Sequence, residues 1–313
     1  MRLSILVISR TAELVNRLCT GLNDATDLPA NEVEILCSWN GSKEDEDKLN
    51  NTSRYDFHVA QHDPYHFAGN MNGLARKATG EILMLANDDL ELDPHCIDQA
   101  LNVLVKKPNV GLVGARLRDR QGRLTHAGIQ FDSKYSSYHP LDRLVKSSNT
   151  ILSPGGPVAA VTGALQWIRR EAFLKQPYNT KYEVCGEDVE LCLDIQQNLK
   201  QQIWLCNQAT AIHESETTRS KEPNQSQNSK DLLRLRARTQ NFIDGASADQ
   251  LRVLLGQQQR ESQQLRDFIM GELPNLKANE NEQELEQQKV LLELSQERLR
   301  LKQEIELLRG GLK

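Results

Sequence analysis

The chain has 313 residues, of which 38% are hydrophobic, 5% aromatic and 26% charged, with a formal net charge of −5. At roughly 150 residues per domain this length allows two domains at most, and the low apolar fraction implies that part of the chain lies outside any globular core. No apolar run approaches the roughly 20 residues needed to span a bilayer, and the acidic balance argues against nucleic-acid binding through a general basic surface.

The opening MRLSILVISRTAEL has a short apolar stretch without a small-residue cleavage site, so it reads as a first strand and not as a signal peptide. Residues 11–24 follow as a helix, with Leu14, Leu18 and Leu22 at helical spacing. EVEILCSW predicts a second strand that ends in an Asn-Gly turn, FHVAQH a third, and MNGLARKAT a helix. EILMLAND is a continuous apolar strand, as expected in the middle of a mostly parallel sheet with both faces buried. A helix is then expected to open at Asp93-Pro94, with the Asp as N-cap and Pro in the first helical position, and VGLVGARLR forms the next strand. This β-α alternation predicts an open α/β sheet with ligands at the carboxyl ends of its strands.

Composition changes near residue 245. All Trp, Tyr, His and Cys residues lie upstream, while residues 246–313 are dominated by Leu, Gln, Glu, Arg and Lys. The expected division is a globular domain over 1–245 and a helical tail over 246–313. The tail reads as one helix to Met270, a breaker at Gly271, Pro274 and Asn275, and a second helix. Leu291, Leu294, Leu301, Ile305 and Leu308 fit a coiled-coil seam interrupted by Arg298, while Leu285, Leu292 and Leu299 form a second stripe. A solvated single helix is the alternative. The six cysteines are scattered without a CxxC pair, which suits reduced thiols in a cytoplasmic protein.

Several side chains carry candidate chemistry. Asn87-Asp88-Asp89 closes the strand EILMLA, where two adjacent carboxylates call for a cation; hard divalent ions such as Mg²⁺ or Mn²⁺ prefer oxygen ligands. A helix N-cap cluster before LELDP is the other reading. Glu187-Asp188 follows Gly186 at an apparent helix start, where a carboxylate can remove a proton from an acceptor hydroxyl or simply favour the helix dipole. His213 follows the strand QIWLCNQATAI and offers a third metal ligand or a surface residue. The polar stretch after it reads as a loop whose Arg219 and Lys221 could meet phosphate. Gly163 and Ala164, after the Gly/Pro turn of SPGGPVAAVTGAL, would let a ligand approach the backbone or allow tight strand packing.

In order along the chain, EILCSWNGS, LANDDLELDP, GRLTHAGI, AVTGALQWIRREAF, GEDVELCLDI and AIHESETTR resemble family 2 glycosyltransferases of the GT-A fold, especially those building bacterial O-antigens and other surface polysaccharides, rhamnosyltransferases among them. The resemblance covers residues 3–215. It implies a Rossmann-like α/β fold with a mostly parallel central sheet and helices on both faces, followed here by the coiled-coil tail. It also implies inverting, metal-dependent transfer of a sugar from a nucleoside-diphosphate-sugar to a hydroxyl of a glycan or lipid-linked glycan. Asp89 matches the metal-binding Asp of the family, with Asp88 beside it on the donor; Asp188 matches the catalytic base, with Glu187 its neighbour; His213 matches the late metal ligand. Ser9, Arg10, Trp39, Asn40 and Asn72 fall on the donor side, and Gly163, Ala164 and Arg219 on the acceptor side.

Two departures stand out. Trp39 replaces the Asp expected to contact the nucleotide base and is a candidate for stacking on it, and Ser9-Arg10 replaces a Pro-Thr-Tyr-Asn opening. These leave UDP, dTDP and GDP all open. A degenerate nucleotide-sugar binder that assembles through its tail is the competing reading. Residues 246–313 are expected to form homo-oligomers or dock a partner, and a lipid-linked acceptor would place the enzyme at the inner face of the cytoplasmic membrane.

Overall fold

In the computed structural model, which describes residues 2–152, 155–214, 225–278, 289–300 and 302, aliphatic runs become strands and Leu repeats become helices. The first half comprises β1 (Leu3–Ser9), α1 (Ala12–Ala25), β2 (Val33–Trp39), α2 (Lys43–Glu46), β3 (Asp56–Gln61), α3 (Phe67–Lys77), β4 (Ile82–Asn87), β5 (Leu90–Leu92), α4 (Cys96–Lys106) and β6 (Val110–Arg118). There follow β7 (Leu124–His126), β8 (Gln130–Phe131), β9 (Ser137–Tyr138), β10 (Gly155–Val158), β11 (Leu165–Arg169), α5 (Arg170–Lys175), α6 (Glu187–Asp194), β12 (Gln202–His213), α7 (Gln225–Asp244) and α8 (Ala248–Ala278). These elements fall into two units, Met1–Ser148 with Pro154–Leu255, and Asn149–Ser153 with Gly256–Lys313.

The first unit is built on one sheet in the order β10-β12-β6-β11-β4-β1-β2-β3, with β5 on β12 and β7 on β6. Strands β1 to β4 are parallel, β11 runs antiparallel between β4 and β6, and β12 is parallel to β6. β4 is therefore central, and its alternate residues enter two different cores. Met84 and Ala86 pack with Leu18 and Leu22 of α1 and Ile97 and Leu101 of α4. Leu83 and Leu85 pack with Met71 and Leu74 of α3, Phe173 of α5, Leu191 of α6 and Leu235 and Phe242 of α7. Each such fully buried side chain contributes roughly 1.5–3 kcal/mol, which accounts for the unbroken apolar run read in the sequence.

Two local expectations are corrected. α4 starts at Cys96, after His95 in a left-handed conformation (φ 58°), and not at Pro94. The Asp93 carboxylate cannot cap it, because it is held by the Arg118 guanidinium, at 2.7 Å for one of the two bonds, and by the Thr210 hydroxyl. Burial alone would raise the Asp93 pKa, but these bonds hold it below the ordinary carboxylate value. LELDP also opens no helix: Leu90–Leu92 pairs antiparallel with Ala211–His213 of β12.

In the second unit, α8 continues through Gly271 and Pro274 to Ala278, so the expected breaker does not end the helix. Proline there removes one intrahelical hydrogen bond without forcing termination. Residues 289–300 are helical, and Arg298, which interrupts the leucine seam, binds the buried Glu261 carboxylate at 2.7 and 2.9 Å. Lys302 reaches the Gln258 carbonyl and the Ser262 hydroxyl. Leu285, Leu301, Ile305 and Leu308 lie outside the described residues.

α7 fixes a loop as well as a core. Asp231, 2% exposed, accepts hydrogen bonds from the backbone N–H groups of Glu183, Val184 and Cys185 at 2.9, 2.7 and 3.4 Å. Asp231→Ala strands three donors and is expected to lower unfolding stability by about 3 kcal/mol, measured as a shift in the urea midpoint. An unchanged midpoint would show that the 183–185 loop is held by other contacts.

Candidate active site

The carboxyl ends of β1, β4 and β12 meet at one place. Ile8 of β1 lies opposite Asn87 of β4, and His213 of β12 opposite Leu90 of β5, so the turn Asp88–Asp89 between β4 and β5 is flanked on both sides. Asp88 turns towards β1, where its Oδ2 accepts from the Ser9 hydroxyl at 2.6 Å. Burial pushes the Asp88 carboxyl up to about 6, the Asp89 charge adds to this, and the Ser9 bond and Arg10 offset it in part. Asp89 turns towards β12, where its Oδ1 lies 3.3 Å from Nε2 of His213, both side chains being about one tenth exposed. The same Nε2 is 3.2 Å from the Asn87 side-chain nitrogen.

This geometry tests the fit of a divalent cation. One imidazole nitrogen cannot accept from Asn87 and donate to Asp89 together, whereas a carboxylate oxygen and a neutral imidazole facing each other are a suitable pair of ligands for Mn²⁺ or Mg²⁺. Asp88 turns its Oδ2 to Ser9 and does not join Asp89 and His213 in a group of three ligand atoms within 4.8 Å of one another. Among the described residues, the group of three potential ligands within 4.8 Å of one another is instead Asp27, His95 and Asp98. That cluster lies at the exposed start of α4, and Asp98 is already bound by the Thr26 hydroxyl at 2.6 Å and the Asp27 amide at 3.0 Å.

The second acidic pair sits at the start of α6. Gly186 precedes it with φ 107°, a left-handed turn in which a Cβ would meet the Tyr182 ring at 2.8 Å, so glycine at 186 is a steric requirement of this entry into the helix. Glu187 and Asp188 are each 9% exposed. Asp188 Oδ2 accepts from the Gly163 N–H at 2.7 Å and Oδ1 from the Val189 N–H at 2.8 Å. One residue on, the Ala164 carbonyl accepts from the Asn87 N–H at 2.9 Å. Gly163 and Ala164 thus join the Asp88–Asp89 turn to the Asp188 helix.

The other candidates divide. Asn40 is positioned by its N–H to the Ser9 carbonyl at 2.8 Å and by its side-chain nitrogen to the Asp63 carbonyl, and its side-chain oxygen is buried. Arg10 is exposed beside it. Ser9 orients Asp88 and does not present its hydroxyl to a ligand. Trp39 is corrected: at 2% exposure its indole is in the core, its N–H donates to the Ser42 carbonyl at 3.2 Å, and no ring face is available for a base. Asn72 is corrected as well, because its amide donates to the Tyr178 carbonyl at 2.8 Å and accepts from the Tyr178 N–H at 3.0 Å. Arg219 and Lys221 lie outside the described residues.

Three supporting residues had no role in the sequence reading. The Tyr178 hydroxyl donates to Gln166 Oε1 at 2.9 Å, and Gln166 Nε2 donates to the Val161 carbonyl at 3.2 Å, just before Gly163. Asp231 holds the loop before Gly186. Long-range pairs of this kind leave no periodic trace in a sequence. A Cβ at Gly163 would lie 3.0 Å from the Asp188 Cβ. Gly163→Ala is therefore expected to cost about 1–3 kcal/mol in urea unfolding, and equal midpoints would show that Asp188 can move aside.

Comparison with known proteins gives three findings. The profile of Glycosyl transferase family 2 matches residues 4–175. O-antigen biosynthesis protein RfbC of Myxococcus xanthus is 30% identical over an aligned stretch of 175 residues that covers 50% of this chain and 13% of that protein, so the chain spans a small part of its relative's length. Among solved structures, a mannosyltransferase of Pyrobaculum calidifontis in complex with GDP-Man and Mn²⁺ has TM-score 0.58 at 15% identity, covering 94% of this chain and 80% of that one. TarS residues 1–349 of S. aureus in complex with UDP-GlcNAc has TM-score 0.53 at 15% identity, covering 86% and 81%.

Proposed function

This chain belongs to Glycosyl transferase family 2, and from that premise we propose that its first unit moves a sugar from a nucleoside-diphosphate-sugar to a hydroxyl of a glycan acceptor in surface polysaccharide synthesis. The fold of that unit is the GT-A fold. The observation that carries the reading is the backbone bridge through Gly163 and Ala164, which sets a carboxylate–imidazole pair and a second carboxylate about one site. Relatives by fold hold GDP-Man with Mn²⁺ and UDP-GlcNAc, which supports the donor class.

Asp89 and His213 would hold a divalent cation, Mn²⁺ or Mg²⁺. When bound, such a cation neutralises the charge of the departing diphosphate. Asp188 is the base: its carboxylate is fixed by two N–H donors, which leaves lone pairs on both oxygens to take the proton of the acceptor hydroxyl. That hydroxyl attacks the anomeric carbon in a single displacement with inversion, and the proton passes to Asp188 as the glycosidic bond to the diphosphate breaks. Glu187 is the neighbour of the base at the start of α6, and Asn40 is assigned to the donor side. A lipid-linked acceptor would bring the enzyme to the inner face of the cytoplasmic membrane. No described helix is long and apolar enough to cross one.

The burial of Trp39 favours one second reading, a nucleotide-sugar binder without turnover that acts by assembly, since the base-contacting carboxylate of the family is missing here. Turnover separates the two. With Mn²⁺ and a panel of UDP-, dTDP- and GDP-sugars, Asp188→Ala and Asp89→Ala are each expected to cut nucleotide release by about a hundredfold or more while cooperative unfolding is kept. Near-normal release by either variant would remove its assigned role.

The second unit is assigned to self-association as a coiled coil. Leu291 and Leu294 are 40% and 60% exposed on its second helix, a face suited to a second copy of the chain. In sedimentation, the full chain carrying Leu291→Lys and Leu294→Lys is expected to have half the mass, or less, of the unaltered chain. Equal masses would sink the assignment.

A further inference from the structure

His126 lies in GRLTHAGI, a segment to which the proposed reaction gives no role. It is 1% exposed at the end of β7, opposite Leu117 of β6. Its Nε2 is 3.3 Å from the backbone N–H of Gly128 and 3.3 Å from that of Thr162. Two N–H groups aimed at one ring nitrogen call for a lone pair there, which places the proton on Nδ1; that nitrogen lies 3.0 Å from Nδ1 of His139, which is itself 3.1 Å from the Thr125 carbonyl. Burial first, then His139 and His213, hold the His126 pKa well below the ordinary imidazole value, in keeping with a permanently neutral ring.

Thr162 immediately precedes the glycine whose N–H binds Asp188. The segment leading into it is pinned residue by residue: the Ala160 carbonyl accepts from Ile129 N–H at 2.8 Å, the Val161 carbonyl from Gln166 at 3.2 Å, and the Thr162 N–H donates to His126. Ile129 and His126 belong to the same 124–131 excursion, so that excursion meets the 160–162 backbone at two points. The His126 and Gln166 bonds hold the two sides of one peptide unit, Val161–Thr162, which adjoins the Thr162–Gly163 peptide.

We propose that His126 is a positioning residue for the transfer step: by accepting the Thr162 N–H it fixes, together with Gln166, the peptide unit adjoining the one whose N–H aims the Asp188 carboxylate at the acceptor. The inference rests on the reading of Asp188 as the base. It gives His126 no part in proton transfer or metal binding, since its Nε2 is fully engaged by backbone and its Nδ1 by His139.

The test uses the full chain and two variants. His126→Phe keeps ring size and deletes the acceptor; His126→Gln returns a side-chain acceptor. Amide hydrogen exchange of the peptide covering 160–164 is expected to quicken about tenfold in His126→Phe, with the β4 peptide unchanged, and to recover in His126→Gln. Nucleotide release from a turned-over sugar of the panel should fall about tenfold in kcat for His126→Phe, with the Kd for UDP or GDP with Mn²⁺ unaltered and with rescue by His126→Gln. Should His126→Phe not fold, selective ¹⁵N-histidine NMR of the unaltered chain decides, with the His126 signal assigned by its loss in His126→Gln: Nδ1-protonated His126 supports the proposal and Nε2-protonated His126 overturns it. Unchanged exchange at 160–164, or losses of kcat and nucleotide affinity in parallel, would also overturn it. Activity that survives Asp188→Ala defeats the base assignment alone, because the exchange result does not depend on turnover.

Discussion

The N–H of Gly163 bound to Asp188, one residue before the Ala164 carbonyl bound to Asn87, is the contact on which the site depends. It exists because β11 runs against its neighbours. A parallel strand between β4 and β6 would begin at the far end of the sheet, whereas the antiparallel β11 starts at the carboxyl end, beside Asn87. The residues that lead into it are thereby delivered to the crevice. The fold places its reversed strand where the Asp88–Asp89 turn and the Asp188 helix are joined.

The joined groups repel one another. Asp88, Asp89, Glu187 and Asp188 are all largely withdrawn from water, and burial together with Asp89 already lifts Asp88 to about 6. Three devices limit the cost: the Ser9 hydroxyl on Asp88, the His213 imidazole against Asp89, and two backbone donors on Asp188. None of them supplies a full positive charge. A divalent cation held by Asp89 and His213, as proposed, would lower that cost further.

The strands and the paired acids were legible because they are local signals. Ile82–Asn87 reads as a central strand from its unbroken apolar run, and Gly186 before Glu187-Asp188 marks a left-handed turn into a helix. Burial by tertiary packing was not legible. Trp39 looked available for stacking because a sequence does not show that Gly41 closes over its indole, a Cβ there meeting the ring at 2.6 Å. Asn72 looked like a ligand-binding amide because its partner, Tyr178, is distant in the chain. Asp93 looked like a helix cap because Arg118 and Thr210, which claim it, come later on other strands. Pro274 looked like a helix end, a preference that the surrounding helix overrides.

The donors that orient Asp188 are main-chain atoms, of Gly163 and Val189. Every amino acid except proline carries that N–H, so most codon changes at either position leave the donor in place. The aim of Asp188 is thus buffered against side-chain changes at 189, and two kinds of change still reach it. They are changes that add bulk at 163, or that free the peptide before it, and a lineage could alter the side chains around Asp188 while those two constraints are met.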